Sequence, residues 1–249
     1  MLRSVKEVFG YVLSAEDGEI GRCKDFLFDD QVWTIRYMVA DTGRWLPGRK
    51  VLVSPISLGE PDWRSRRLPV RLKKQQIEGA PDLEEDAPVG RQYEICWTRY
   101  FGWPYYWAGT GLWGIADNPG ALYVQQEIRD EAAEEFADAD RHLRSAKEVT
   151  GYNIQATDGE IGHVEDFIMD DEAWMLRYVV VDTRNWLPGR KVLVAPVWIE
   201  SVDWAQRKVV VGLDQDHVRR SPEYDPSVPV NREYEERLYD FYGRPRYWL

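Results

Sequence analysis

Trp45, Arg49 and Lys50 are the residues of this chain best suited to bind something, and they occur twice, as Trp186, Arg190 and Lys191 repeat them in the same order and spacing. An aromatic ring beside two cations on a turn can grip an anionic group or the acidic surface of a protein partner. These six positions are the candidate binding residues. The Leu-Pro-Gly between Trp and Arg is itself a turn signal, so the segment also fits a rigid hairpin with the Trp lying over the fold and the cations in water. Sequestration of Trp45 in a tight core would count against the binding reading.

Carboxylates are the other candidates. Asp29 with Asp30, Asp41, Asp62 and Glu94 recur as Asp170 with Asp171, Asp182, Asp203 and Glu235. Adjacent aspartates at a strand end could offer oxygen ligands to a cation, but an EF-hand-type loop needs a denser run of ligands. Aspartates that hydrogen-bond backbone N–H groups in a turn are the simpler expectation. His163 and His217 face Arg22 and Gln76 in the other copy, so the three histidines include no duplicated pair. The chain lacks a Gly-x-Ser-x-Gly elbow, a Cys-x-x-Cys, a His-Glu-x-x-His and a phosphate loop. No catalytic residue, metal site or cofactor is therefore expected, and the protein is read as a non-enzyme.

The elements that position these residues come as a duplicated unit. Residues 2–107 align with residues 143–248 without a gap, and about half of the positions are identical. The longest identity runs from Trp45 to Val53 and again from Trp186 to Val194. Within one unit, short apolar runs are separated by tight turns. Asp17-Gly18 is a hairpin signal because Gly supplies positive φ. From Trp33 to Val39 the residues alternate, with Trp33, Ile35, Tyr37 and Val39 on one face and Thr34, Arg36 and Met38 on the other, which predicts a half-buried strand. Pro55 closes the run Val51–Ser54. Five or six short strands in about 70 residues predict a small antiparallel β-barrel. Each unit then continues through a proline-marked loop and a short helix opened by Arg91-Gln-Tyr-Glu or Arg232-Glu-Tyr-Glu. It ends on an aromatic strap, in which Tyr93, Tyr106 and Trp107, with their partners Tyr234, Tyr247 and Trp248, are expected to dock on a barrel.

The predicted fold class is therefore mainly β: two tandem small antiparallel β-barrels with short helices and an acidic linker helix. The domains are residues 1–107, a linker at 108–142 whose second half is rich in Glu, Ala and Asp, and residues 143–249.

Length and composition agree with two globular domains. The chain has 249 residues, 44% of them hydrophobic, with twelve Trp and fourteen Tyr. Its net charge of −11 disfavours phosphate backbones, so no nucleic-acid partner is expected. Cys23 and Cys96 face Val164 and Arg237 in the other copy, which excludes a duplicated disulfide and suits a reducing cytoplasm. The first residues lack the apolar core of a signal peptide. The uncharged segment 100–116 is short for a membrane span and broken by Pro104. Packing across a domain surface is expected of it, with contact at a membrane interface the lesser expectation.

The repeat resembles the PRC-barrel domain, a family named for the cytoplasmic domain of the photosynthetic reaction centre H subunit and including the C-terminal domain of the ribosome maturation factor RimM. Gly10-Tyr11, Asp17 to Gly21, Asp25-Phe26, Trp33 with Arg36 to Val39, Asp41-Thr42 and Val51 to Pro55 carry the resemblance. The second copy supplies the equivalents from Gly151, Asp158, Asp166, Trp174, Arg177, Asp182 and Val192. The resemblance implies a β-barrel used for protein contacts and brings no catalytic residues. The expected function is a cytoplasmic, non-enzymatic protein-interaction or scaffold protein. A small-ligand or metal sensor and a membrane-peripheral accessory protein are the alternatives. Pairing of the barrels within one chain and pairing across a homodimer are both compatible with the linker length.

Overall fold

The computed structural model describes residues 1–123, 143–183 and 190–249. Among them are thirteen strands. The first repeat supplies β1 (Leu2–Ser4), β2 (Val12–Ala15), β3 (Gly18–Asp29), β4 (Thr34–Asp41), β5 (Val51–Val53) and β6 (Arg67–Pro69). The second supplies β7 (Leu143–Ser145), β8 (Asn153–Ala156), β9 (Gly159–Asp170), β10 (Met175–Asp182), β11 (Lys191–Val194), β12 (Ile199–Asp203) and β13 (Lys208–Val211). The protein is mainly β, as expected from the short, turn-punctuated apolar runs.

The compact units do not follow the repeat boundaries. One unit, here the first-repeat unit, comprises Val8–Ala146 with Glu172–Met175; the other, the second-repeat unit, comprises Met1–Glu7, Lys147–Asp171 and Leu176–Leu249. Each therefore contains the opening strand of the other repeat.

In the first-repeat unit, β2 and β3 form a hairpin across Asp17-Gly18, with Val12 opposite Arg22 and Ala15 opposite Gly18. β4 covers the other edge of β3, from Asp41 opposite Arg22 to Thr34 opposite Asp29. β5 pairs antiparallel with β4. β6 runs parallel to β2, because the long excursion between them returns in the same direction. The distal half of β3 would be an open edge beside β2. It is filled by β7, with Leu143 opposite Asp29 and Ser145 opposite Leu27. An unpaired edge is an aggregation hazard, and this pairing removes it.

The second-repeat unit is built the same way. β8 and β9 form the hairpin, β13 runs parallel to β8, β12 pairs with β13 and β11 with β10. β1 fills the edge of β9, with Leu2 opposite Asp170 and Ser4 opposite Ile168. The expectation of an antiparallel barrel thus holds for most pairs, with one parallel pair in each unit.

The repeated residues explain the exchange. Ser145 Oγ donates to Asp25 Oδ2 at 2.5 Å, and Arg144 Nε pairs with Asp30 at 2.8 Å. In the other unit, Ser4 Oγ donates to Asp166 Oδ2 at 2.5 Å, and Arg3 lies 3.6 Å from Asp171, which also takes the amino group of Met1. The Leu-Arg-Ser of each repeat is thus held by the aspartates of the unit that receives it. Gly21 and Gly162 have φ of +132° and +134°, and a Cβ there would come within 2.0 Å of the carbonyl oxygens of Asp41 and Asp182. Only glycine allows that approach, which accounts for its presence in both copies.

The core of the first-repeat unit holds Leu13, Ile20, Phe26, Phe28, Ile35, Met38, Val53 and Leu68, all buried. That of the second holds Ile154, Ile161, Phe167, Met169, Leu176, Val181, Val192 and Val209. The alternation along β4 predicts one wet face, but Thr34 to Ala40 are all buried, because the strap described below covers the Arg36 face.

Removal of residues 1–7 is expected to strip the edge of β9 alone. Hydrogen exchange should speed at Ile168 to Asp170 and stay unchanged at Leu27 to Asp29. Equal acceleration at both places would contradict the exchange.

Candidate functional site

The turn carrying Trp45, Arg49 and Lys50 faces the protein's own chain. Trp45 is half-buried, and its Nε1 donates to Glu78 Oε1 at 2.7 Å. Arg49 donates from Nη1 to the Glu78 carbonyl at 2.9 Å and from Nη2 to the Ala80 carbonyl at 3.0 Å, while Nε lies 2.6 Å from an Asp82 oxygen. Lys50 Nζ donates to the Ala87 carbonyl. The three side chains clamp the loop that follows the helix Lys74–Glu78. Arg190 repeats the Arg49 contact by donating to the Ser221 carbonyl, and Lys191 pairs with Glu165 at 2.7 Å. Trp186 lies outside the described residues. Trp45 is thus neither in a tight core nor free, and the described cations of the patch have acceptors within the chain.

The paired aspartates also have internal roles. Asp29 Oδ1 accepts from the backbone N–H groups of Gln31 and Val32 at 3.0 and 3.4 Å, shaping the tight turn in which Trp33 has φ of +54°. Asp30 and Asp171 hold the exchanged strands. His217 Nδ1 lies 2.6 Å from Asp214, the residue that caps its own helix.

A larger constellation lies between strand and strap, and both repeats build it. In the first-repeat unit the helix Arg91–Phe101 ends at Gly102, whose φ of +69° turns the chain back toward the barrel. That reversal brings Tyr106 over β4. Tyr106 OH donates to Glu94 Oε1 at 2.8 Å, Arg91 Nη1 pairs with Glu94 Oε2 at 3.1 Å, and Tyr37 also hydrogen-bonds Glu94. The Arg36 guanidinium lies 4.0 Å from the Tyr106 ring centre and 3.6 Å from Asp29, and Arg91 stacks 4.0 Å over Trp107. Arg36, Tyr37, Glu94 and Tyr106 are all buried.

The second-repeat unit matches it residue for residue. The helix Arg232–Tyr242 ends at Gly243 with φ of +59°. Tyr178 OH and Tyr247 OH donate to Glu235 Oε1 at 2.7 and 2.8 Å, and Arg232 pairs with Glu235 Oε2 at 3.0 Å. Arg177 sits 4.1 Å over Tyr247, and Arg232 4.1 Å over Trp248. The straps therefore dock as expected, through Tyr106 and Tyr247, while Tyr93 and Tyr234 donate to the Pro81 and Pro222 carbonyls.

Burial governs the electrostatics. It raises the Glu94 pKa against the pull of Arg91, Tyr106, Tyr37 and Arg36. It lowers that of Arg36, a drop that Tyr106, Asp29 and Glu94 oppose. It also pushes the Tyr37, Tyr106 and Tyr178 phenols upward, with the neighbouring glutamate adding to the rise.

The first-repeat lattice has one further component, outside the repeat. Arg36 Nη1 donates to the Leu112 carbonyl at 2.6 Å, and the guanidinium lies 4.9 Å from the Trp113 ring. Trp113 is fully buried and donates from Nε1 to the Ala173 carbonyl at 2.8 Å. Trp103, Tyr105 and Tyr106 of the uncharged segment 100–116 are likewise buried in this unit. Sequence reasoning missed the lattice. The available signal was that Arg36, Arg91 and Glu94 are charged, lie among aromatics and are identical in both copies.

Residues 142–217 match the family model of the PRC-barrel domain. This segment is a PRC-barrel domain. The match spans β7 to β13 and stops short of the second strap. The first repeat carries counterparts of these strands in the same order, except for β12. No curated protein matches the chain. Among the described residues, no group of three or more His, Cys, Asp or Glu side chains could hold a metal ion. Nor is any of their helices long and apolar enough to cross a membrane.

Two outcomes follow from the lattice. Tyr106→Phe, which leaves a buried carboxylate short of a donor, should destabilise by about 1.5–3 kcal/mol in denaturant titration. Tyr247→Phe should cost less, since Tyr247 is 37% exposed where Tyr106 is 8%. The raised phenols give the pH dependence. Their stabilising contribution is full below pH 10, where folded and unfolded phenols are both neutral. Above it the unfolded phenols ionise first, so stability should fall by about 1.4 kcal/mol per pH unit for each such tyrosine. Tyr37→Phe should make that alkaline fall shallower.

Proposed function

We propose that the chain is a non-enzymatic protein-interaction or scaffold protein, working in the cytoplasm, whose PRC barrels hold peptide segments against the Arg–Glu–Tyr lattice. The observation that carries this reading is Arg36. Its guanidinium takes the Leu112 carbonyl of a segment that belongs to neither repeat, under the indole of Trp113. A carbonyl bound by a buried arginine, with aromatic stacking beside it, is a mode of peptide capture that needs no reaction chemistry. The exchanged strands β1 and β7 support the same reading, since each barrel edge accepts an extended segment from the other repeat, as in β-strand addition. The acidic surface favours protein over nucleic-acid partners.

The test is affinity capture from the native lysate with cross-link mapping, comparing the wild type with Tyr247→Ala/Trp248→Ala. A partner cross-linked near the second strap in the wild type and lost from the variant would support the reading. A folded wild type that captures nothing, yet melts higher with a metal ion or metabolite, would replace it with the sensor alternative.

A further inference from the structure

The two lattices contain the same residues, but one is covered and the other open. Arg36 is 3% exposed and Arg177 17%; Arg91 is 9% exposed and Arg232 51%. Tyr106 is 8% exposed and Tyr247 37%. The cover in the first-repeat unit is residues 108–116, which supply the Leu112 carbonyl and the Trp113 ring, the latter 6.4 Å from that of Tyr106. Arg177 keeps its ion pair with Asp170 at 3.2 Å and its stack on Tyr247. Among the described residues, nothing takes the place of the Leu112 carbonyl or of Trp113 there. The Nε of Arg177 is buried with no hydrogen-bond partner, as is the Nε of Arg36 in the covered lattice, so the two guanidiniums differ at the terminal nitrogen that takes the Leu112 carbonyl on Arg36.

We propose that this face of the second-repeat unit docks a partner protein's uncharged, glycine-flanked loop bearing a tryptophan. The loop's backbone carbonyl accepts from the Arg177 guanidinium, and its indole packs on Arg177 and Tyr247. The proposal rests on the interaction reading above and names its ligand. The first-repeat unit is the template, because residues 108–116 carry no charge and place Gly111 and Gly114 around Leu112 and Trp113. Charge complementarity points the same way. Asp170 and Glu235 already balance Arg177 and Arg232, and Glu236 and Asp240 flank the strap through Arg246. An acidic segment would meet these carboxylates, whereas a neutral carbonyl can accept from a terminal N–H of Arg177, as Leu112 does from Arg36, and an indole can cover the open π faces.

The probe is the capped peptide of residues 108–116, titrated into the full-length protein by calorimetry beside its Trp113→Ala version. Saturable binding is expected for the first peptide and none for the second. Arg177→Met and Tyr247→Ala should each weaken binding by about tenfold or more. Arg177→Lys, which keeps the charge but loses the planar fork, should weaken it too. Near-UV circular dichroism establishes that each variant is folded, and a shift of the Arg177 Nε–H resonance on titration reports the site directly in the wild type. Absence of saturation by about 1 mM peptide, or equal affinity in Arg177→Met and Tyr247→Ala, overturns the proposal. If lysate capture still depends on Tyr247 and Trp248, only the tryptophan-loop assignment fails. If capture is lost as well, the interaction reading falls with it.

Discussion

A carboxylate in an apolar interior must collect donors or give up its charge. Glu94 and Glu235 are two such carboxylates, and the surrounding structure is arranged around satisfying them. Each takes a tyrosine hydroxyl from a barrel strand, a second from the strap and an arginine from its own helix. Strand, helix and strap are thereby fixed to one another at a single point. A strap that slipped would leave a buried charge unpaired, a fault worth about 3–5 kcal/mol. Stacking of Arg36 and Arg91 on the strap rings, and of Arg177 and Arg232 on theirs, extends the same joint.

The exchanged strands answer a different constraint. β3 and β9 are each twelve residues long, whereas the hairpin partners β2 and β8 are four. The remaining edge needs a second strand, and the opening Leu-Arg-Ser of the other repeat supplies it. Identical sequence makes each segment fit either edge, since Asp25 with Asp30 and Asp166 with Asp171 present the same acceptors. Of the paired aspartates that could be read as a cation site, Asp30 and Asp171 are what the incoming arginines bind.

Much of this was legible in the residues. Asp17-Gly18 and Asp158-Gly159 marked the hairpins, the alternation after Trp33 marked a strand, and the Gly-x-Pro-x-Tyr-Trp ending marked a strap that docks. These signals are local, because turn geometry and side-chain periodicity act over a few residues. Other features were not legible. Arg36 sits on the polar side of an alternating pattern, which reads as a solvent face until a strap from some 70 residues away covers it. Trp45, Arg49 and Lys50 read as a grip from the local sequence, yet the Glu78 carboxylate folds back to meet Trp45, the Glu78 and Ala80 carbonyls meet Arg49, and the Ala87 carbonyl meets Lys50. The acidic stretch expected as a linker helix lies mostly in residues 124–142, outside the described residues.

By itself the sequence determined the duplication, the β character of each repeat and the residues each copy needs, since identity at aligned positions records local requirements met twice. Tertiary structure alone decided which barrel receives which opening strand. Two identical Leu-Arg-Ser segments carry no address, and only chain path and edge geometry distinguish their destinations. It also decided that two lattices of the same composition differ in access. Residues 108–116 cover one, and among the described residues nothing covers the other, a difference of neighbours that no residue within the lattice encodes.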